Sequence, residues 1–385
     1  MSAPFEAQRP LLPELGLGLL EVAMVSMDPA ALILDSRGAR ERPRPSVRVF
    51  GEASSPLRKC GRAGKTPAEN DSVQELVCIL GGSAPGPILY QRRLRPFGIL
   101  FINPDVPTPE PAAGQALVRV RAFGINRMDI IQRLGRYPLP PQAPATLGVE
   151  FSGAAAGHAF KVGDEVFGLA YGGAYAEYIA VSTSMLLRKP QSMSWETAAG
   201  IPETWITALQ ALTLISEFSS GKSILWHAGA SGVSAAGIQL SRQLGASAIF
   251  ATAGMPDKVS YLTSDLGVTK AFNYRTDDWK NIDVAARDGR IVLLALLSGP
   301  KVENLDISSL LYKRVRIEGS TLRSRDEAYQ SKLRDVLEGH LPEFESGKLR
   351  VPIDTVLPWD QIQEAHRIME ANENKGKIIC TIPWA

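Results

Sequence analysis

The sequence predicts an α/β protein: a doubly wound parallel sheet that apparently lacks one strand, joined to a compact β barrel. Two textures and one turn carry that expectation. Between Ile88 and Trp205, short β-branched and aromatic runs such as Ala116-Leu-Val-Arg-Val-Arg-Ala-Phe and Ala174-Tyr-Ala-Glu-Tyr-Ile-Ala-Val alternate apolar with polar residues. Half-buried antiparallel strands alternate in this way. After Ile206 the rhythm becomes strand, Gly-rich turn, helix, repeated, as in a parallel sheet with helical crossovers. The turn is Trp226-His-Ala-Gly-Ala-Ser-Gly-Val-Ser, set between an apolar strand and a helix.

In chain order, residues 1–87 show no sustained period of 2 or 3.6, and Pro43, Pro45, Pro56 and Pro67 interrupt them. They read as a weakly ordered extension. Leu11 to Val25 is its most apolar stretch, but Pro13, Glu14 and Glu21 break it, which fits neither a secretory core nor a membrane span. Glu6, Glu14, Glu21 and Asp28 argue against a mitochondrial presequence. Residues 88–205 form the barrel unit, with Lys161-Val-Gly-Asp-Glu-Val-Phe-Gly as a turn leading into a strand. Residues 206–322 form the parallel-sheet unit: a strand at Ser223 to His227, a helix at Ser231 to Leu244, and a strand at Ala248 to Thr252. A helix at Asp257 to Leu266 follows, then strands at Ala271 to Asn273, Arg290 to Leu296 and Arg316 to Gly319. Residues 323–385 hold helices at Glu327 to Leu337 and Trp359 to Ala371 and a strand at Lys377 to Ile382, and return to the barrel unit.

Composition removes several function classes. The 385 residues are 45% hydrophobic and 21% charged, ordinary for a globular protein. Forty-two Lys and Arg against forty Asp and Glu leave a charge of +2, which gives no general attraction to nucleic acid or an anionic membrane. Cys60, Cys78 and Cys380 are too scattered for a disulfide framework or a metal clip, so free thiols and a cytoplasmic location are expected.

The turn is where chemistry is expected. His227, Gly229, Ala230, Ser231, Gly232 and Val233 are small or lie where the backbone can approach a pyrophosphate, and the amides opening the following helix supply donors and a positive dipole end. The G-x-G-x-x-G pattern is incomplete, because Ser234 stands at the third glycine position. A plain glycine turn with no ligand is the alternative. At the end of the second strand, Thr252-Ala-Gly254-Met carries no carboxylate for ribose hydroxyls, which favours NADPH over NADH. Lys258, and Tyr274 or Arg275, are placed to meet a 2′-phosphate; a solvated helix lysine is the other reading of Lys258.

Five blocks in order, Ala122-Phe-Gly-Ile-Asn-Arg-Met-Asp, Leu147-Gly-Val-Glu-Phe-Ser-Gly, Val162-Gly-Asp-Glu-Val, Ala199-Gly-Ile-Pro-Glu-Thr-Trp and His227-Ala-Gly-Ala-Ser-Gly-Val, resemble the medium-chain dehydrogenase/reductases. Within that family they resemble the zinc-free quinone oxidoreductases related to zeta-crystallin. Pro202-Glu-Thr-Trp, Leu322-Arg-Ser-Arg-Asp and Ile362-Gln-Glu-Ala-His look most like the stress-inducible branch. The resemblance runs from Ile88 to the C-terminus. It implies a GroES-like substrate domain, a Rossmann domain, a cleft between them, a homodimer, and NADPH reducing a quinone or similar conjugated carbonyl. Asn126 stands near a zinc-ligand Cys of the zinc-containing relatives, and Gly148-Val149-Glu150 replaces their Gly-His-Glu, so no metal site is expected. The resemblance also implies that Asn126 positions the nicotinamide ribose or the substrate carbonyl, and that Tyr137 hydrogen bonds the acceptor oxygen. A turn-stabilising Asn126 and an amphipathic loop Tyr137 are the alternatives. Trp205 and Phe151 are expected in the core.

One departure from the family lies between Lys280 and Ile282, where a crossover helix and the fourth strand of the 3-2-1-4-5-6 order are missing. Either Arg290 to Leu296 moves into the vacant place or the sheet keeps an unpaired edge in its middle, with weakened cofactor binding. Gly153-Ala-Ala-Ala-Gly-His-Ala-Phe also shortens the barrel, and Ala295 replaces a common Gly. The rival functions are an enoyl or alkenal double-bond reductase and a truncated, non-catalytic relative that binds nucleotide weakly.

Overall fold

A computed structural model of the chain describes residues 20–27, 86–92, 99–158, 160–277, 284–297, 299 and 307–384. The junction at Lys280 to Ile282, and Cys60 and Cys78, lie outside the described residues. In chain order the strands are β1 (Leu20–Met27), β2 (Gly86–Arg92), β3 (Ile99–Val106), β4 (Gln115–Ile125), β5 (Glu150–His158), β6 (Glu165–Leu169), β7 (Tyr178–Ser182) and β8 (Leu186–Arg188). These are followed by β9 (Ser223–Trp226), β10 (Ala248–Ala253), β11 (Lys270–Asn273), β12 (Ala285–Leu296), β13 (Arg316–Gly319), β14 (Ile353–Pro358) and β15 (Lys377–Thr381).

One sheet has the order β14-β15-β4-β5-β6-β8, with β7 also on β4, and β2 and β3 form a separate hairpin. Buried and half-buried positions alternate along the first half of β4, and its last four residues, Ala122 to Ile125, are all buried. The strand leaves a half-solvated barrel wall and enters the junction with the rest of the molecule. β15 closes onto that end, with Ile378 opposite Ile125 and Cys380 opposite Phe123, and so carries the C-terminal residues to the inner wall. Phe151 and Trp205 are fully buried, as expected, and the Trp205 ring packs edge-on against Phe344 at 4.5 Å.

The second sheet has the order β11-β10-β9-β1-β12-β13. β9, β10 and β11 run parallel to one another, and β12 is parallel to β13, so five strands occupy places 3, 2, 1, 5 and 6 of a doubly wound sheet. Neither outcome expected for the missing fourth strand occurs. β1, from the segment read as weakly ordered, sits in that place and pairs antiparallel with both neighbours: Ala23 opposite Trp226 and Val292, Val25 opposite Ile224 and Arg290. The physical reason is backbone demand, because an interior gap leaves two strand edges without partners and each buried N–H and C=O needs one. The run Val22-Ala-Met-Val is apolar without alternation, the sequence pattern common to interior strands of doubly wound sheets.

The helix Gly232–Gln243 packs across this sheet and buries Ala235, Ala236, Ile238 and Leu240. Its close approach is made at Gly237, where a Cβ would lie 2.2 Å from the Trp226 indole. Ser234, at the expected glycine position, instead donates from its hydroxyl to the His227 carbonyl at 2.6 Å. Among the described residues no helix is long and apolar enough to cross a membrane.

Candidate functional site

The turn after β9 and the start of β15 face each other across a cleft of about 210 Å³. One wall is the turn: Ala228, Ala230, Ser231, Gly232 and Val233 line it, continued by Ala253, Gly254, Lys258 and Tyr274 beyond β10 and β11. Ser231 caps the helix Gly232–Gln243, its hydroxyl accepting from the Ser234 amide at 3.2 Å. The first helical amides have no partner within the helix. Ala228 holds a left-handed φ of 49°, a conformation that costs a non-Gly residue roughly 1 kcal/mol or more and that gathers at functional turns. A Cβ on Gly232 would come within 2.9 Å of Lys377 Cδ and Thr204 Cγ2, and one on Gly254 within 2.1 Å of the Tyr274 hydroxyl. Both glycines are therefore required by close approach across or along the cleft.

The opposite wall is built from charged side chains. Lys377, 2% exposed, donates to the Ile125 carbonyl at 3.0 Å and to Asn126 Oδ1 at 2.9 Å, and forms an ion pair with Glu150, which is fully buried. Asn126 Nδ2 in turn donates to Glu150 Oε1 at 2.9 Å, and the Glu203 amide donates to Glu150 Oε2 at 2.9 Å. Behind this wall Asp129 accepts from the Asn126 amide at 2.8 Å, the Gly148 amide at 3.2 Å and the Tyr175 hydroxyl at 3.1 Å. Burial outweighs those bonds and pushes Asp129 up to about 6. Burial, with the nearby Glu150 charge, pushes Glu203 up to about 8. The wall thus combines one compensated ion pair with carboxyls that hold protons more tightly than usual.

Of the residues expected to hold the cofactor, Ala230, Ser231, Gly232, Val233, Gly254, Lys258 and Tyr274 line the cleft, as does Asn126. His227 and Gly229 do not. His227 lies beneath the turn, 1% exposed, with Nδ1 2.9 Å from Thr252 Oγ1, and Gly229 is where the turn meets Leu262 and Ala251. Lys258 reaches the cleft, but its Nζ donates to the carbonyls of Asn372 at 2.6 Å and Asn374 at 2.7 Å, so it clasps the loop before β15. Asp257, the carboxylate nearest the end of β10 in sequence, pairs with Lys375 at 2.8 Å. Tyr137 is not among the lining residues. It sits half-buried beside Arg323, whose guanidinium carbon is 5.3 Å from its ring centroid, and burial together with Glu203 raises its hydroxyl to about 12. Sequence reasoning missed Lys377, Glu150, Thr204 and Asn374. The readable signal was a lysine heading the otherwise apolar run Ile378-Ile-Cys.

Among the described residues no group of three or more His, Cys, Asp or Glu gathers as a metal site would. A dinucleotide, by contrast, suits the residues present: small side chains at the turn, a capped helix start, and an end of β10 with its glycine close under Tyr274.

A barrel domain and a Rossmann-like domain facing each other over such a cleft define a class, the two-domain nicotinamide-nucleotide oxidoreductases. The chain matches the family described as "Alcohol dehydrogenase GroES-like domain" over residues 112–191 and that described as "Zinc-binding dehydrogenase" over residues 266–380. It is 28% identical over 321 residues to the synaptic vesicle membrane protein VAT-1 homolog of Rattus norvegicus, covering 72% of this chain and 79% of that protein. It is similar to the quinone oxidoreductase structure from Pseudomonas syringae pv. tomato DC3000, with a TM-score of 0.64, 26% identity, and coverage of 74% of this chain and 95% of that one. The structure of the CurK enoyl reductase gives a TM-score of 0.64 and 25% identity, covering 77% of this chain and all of that one (100%). The chain belongs to the medium-chain dehydrogenase/reductase family.

Proposed function

We propose that the protein is an NADPH-dependent, metal-free oxidoreductase whose acceptors are quinones or similar conjugated carbonyls. The observation that carries this reading is the pairing, across one cleft, of a small-residue turn on a capped helix with a wall whose buried cation, Lys377, is already compensated by Glu150. When bound, the nicotinamide would supply the hydride. The amides at Gly232 and Val233 would hold its pyrophosphate, and Gly254 and Tyr274 the adenosine end. The lack of a carboxylate at Thr252 to Met255 favours the 2′-phosphorylated form. A lower Michaelis constant for NADPH than for NADH in the wild type checks this, and in Lys258→Ala the clasp on Asn372 and Asn374 predicts that both constants rise together.

Asn126 has its carboxamide fixed on both sides, by Lys377 and by Glu150, and so presents a rigid edge that orients whatever lies at the inner end of the cleft. Tyr137, outside the cleft lining and beside Arg323, keeps its proton over the working pH range and would serve as the hydrogen-bond donor to an acceptor oxygen that extends beyond the cleft toward it. Tyr137→Phe should lower kcat while leaving NADPH affinity intact. Positions 126 and 149, Asn and Val here, supply no zinc ligands, which favours acceptors already activated for reduction.

A second reading, a double-bond reductase for enoyl or alkenal substrates, is favoured by the likeness to the CurK enoyl reductase. After dialysis against a chelator, NADPH oxidation followed by absorbance with 1,2-naphthoquinone, 2-alkenals and enoyl thioesters separates the two. Turnover of the quinone above the others is expected. Turnover of enoyl thioesters alone would move the assignment to the second reading, and none at all would favour a non-catalytic relative.

A further inference from the structure

We propose that the slot between β9 and β12 is a strand-acceptor site for an extended apolar peptide, filled in this molecule by the chain's own residues 20–27, and that occupancy of this slot sets the width of the nucleotide cleft. The geometry is specific. β1 is antiparallel to both neighbours, in a sheet whose other adjacent strands are parallel, and it comes from a part of the chain far in sequence from either neighbour. It is paired with β12 from Leu20 opposite Leu296 to Met27 opposite Ala285, and with β9 from Ala23 to Val25. Edge pairing with an extended peptide is a general recognition mode in which backbone hydrogen bonds give affinity and alternate side-chain positions give selectivity. Here both edges of the ligand strand are used.

The coupling to the cleft follows from direction and spacing. Because β1 runs antiparallel, its Leu20 end lies at the cleft end of the sheet, opposite the last residue of β12; the next residue, Leu297, lines the cleft, and Trp226, opposite Ala23, leads into the turn at Ala228 to Val233. Neighbouring strands lie about 4.8 Å apart, so one inserted strand keeps β9 and β12 about two spacings apart. Loss of the insert leaves two outcomes: the strands close by one spacing and bring Leu297 toward the turn, or they stay open with unpaired backbone. Closure removes the distance that the dinucleotide needs, and an open slot leaves β9 and β12 without the backbone partner that fixes it. Nucleotide and strand therefore stabilise each other's binding by the same factor.

Hydrogen exchange on the intact, nucleotide-free chain tests the insertion without reference to activity. Amides of residues 20–27 should exchange within about tenfold of the rate of those at 223–226. Exchange at open-chain rates would overturn the proposal. Exchangeability is tested in the full chain carrying Ala23→Pro, which removes a donor from a strand paired on both sides. A synthetic peptide of residues 18–29, added in trans at millimolar concentration to match a tethered segment, should restore slow exchange in β12 and raise the melting temperature. The same peptide with Met24→Asp should not. No rescue by the native peptide, whether the variant stays soluble or aggregates, or equal rescue by both peptides, would overturn the proposal. In the wild type, NADPH should further slow exchange at 20–27. NADPH that binds tightly yet leaves those amides unchanged would sink the coupling, whereas NADPH that fails to bind would sink the proposed function and leave the slot intact.

Discussion

The turn at Ala228 to Val233 and the wall of Lys377, Glu150 and Asn126 border the same cleft, yet they are made on opposite principles. From Ala228 to Val233 no side chain is charged: backbone amides, a capping Ser231 and a glycine leave room for a ligand. On the wall side the groups are ionic and buried, and they satisfy one another, with Lys377 using its three donors on Ile125, Asn126 and Glu150. The difference teaches how each side fails. The turn is sensitive to added volume, because a Cβ at Gly232 already meets Lys377 and Thr204. The wall is sensitive to removed charge, because an ion left behind in a buried site has neither water nor partner.

The largest expected effect follows from that contrast. Lys377→Met leaves Glu150 buried and uncompensated and should lower stability by about 3–5 kcal/mol in urea unfolding. Adding Glu150→Gln should recover much of the loss, since two neutral groups need no ion pair. A double variant no more stable than Lys377→Met would mean that the wall does not depend on charge balance.

A smaller effect concerns pH. The folded protein raises Glu203 from 4.5 to about 8, so it holds this proton more tightly than the unfolded chain does. Folding therefore takes up a proton between about pH 4.5 and 8, and stability declines as pH rises through that window before levelling above it. Glu203→Gln removes this contribution. Unfolding midpoints for variant and wild type should agree near pH 4 and diverge toward pH 8, with the variant the more stable. Asp129, raised from 3.8 to about 6, contributes with the same sign at lower pH and remains in both proteins. Parallel profiles would place Glu203 in contact with water.

The smallest effect is on the turn side. Ser231→Ala removes the hydroxyl that caps the helix Gly232–Gln243 and should cost about 1 kcal/mol of stability. It removes no charge and adds no volume, so nucleotide affinity should change far less than in a variant that fills the turn.

Much of the second sheet was legible because its signals are local. The apolar strand at Ser223–Trp226, the capping serine and the helical period that follow are neighbours in sequence, and the structure places them within a residue or two of expectation. What was hidden depends on long-range partners. Lys377 and Glu150 are separated by 227 positions, and neither spacing nor period links them. β1 was hidden for a related reason: an apolar stretch with an interrupting glutamate looks unremarkable until two strands near residues 225 and 291 are found to lack a neighbour. The glycine pattern misled in a smaller way, because the helix meets its strand at Gly237 rather than at Ser234. Lys258 was read by its charge alone, and its bonds to the Asn372 and Asn374 carbonyls depend on a loop more than a hundred residues away.

The central claim is that the turn side of the cleft holds the dinucleotide. Titration of NADPH onto wild-type protein and onto Gly232→Val, followed by tryptophan fluorescence, tests it most directly. Saturable binding by the wild type and a loss of at least about a hundredfold in the variant, roughly 2.7 kcal/mol, is the expected result. Equal affinities for two folded proteins would contradict the account, because a ligand lying against the helix start could not ignore an isopropyl group placed there.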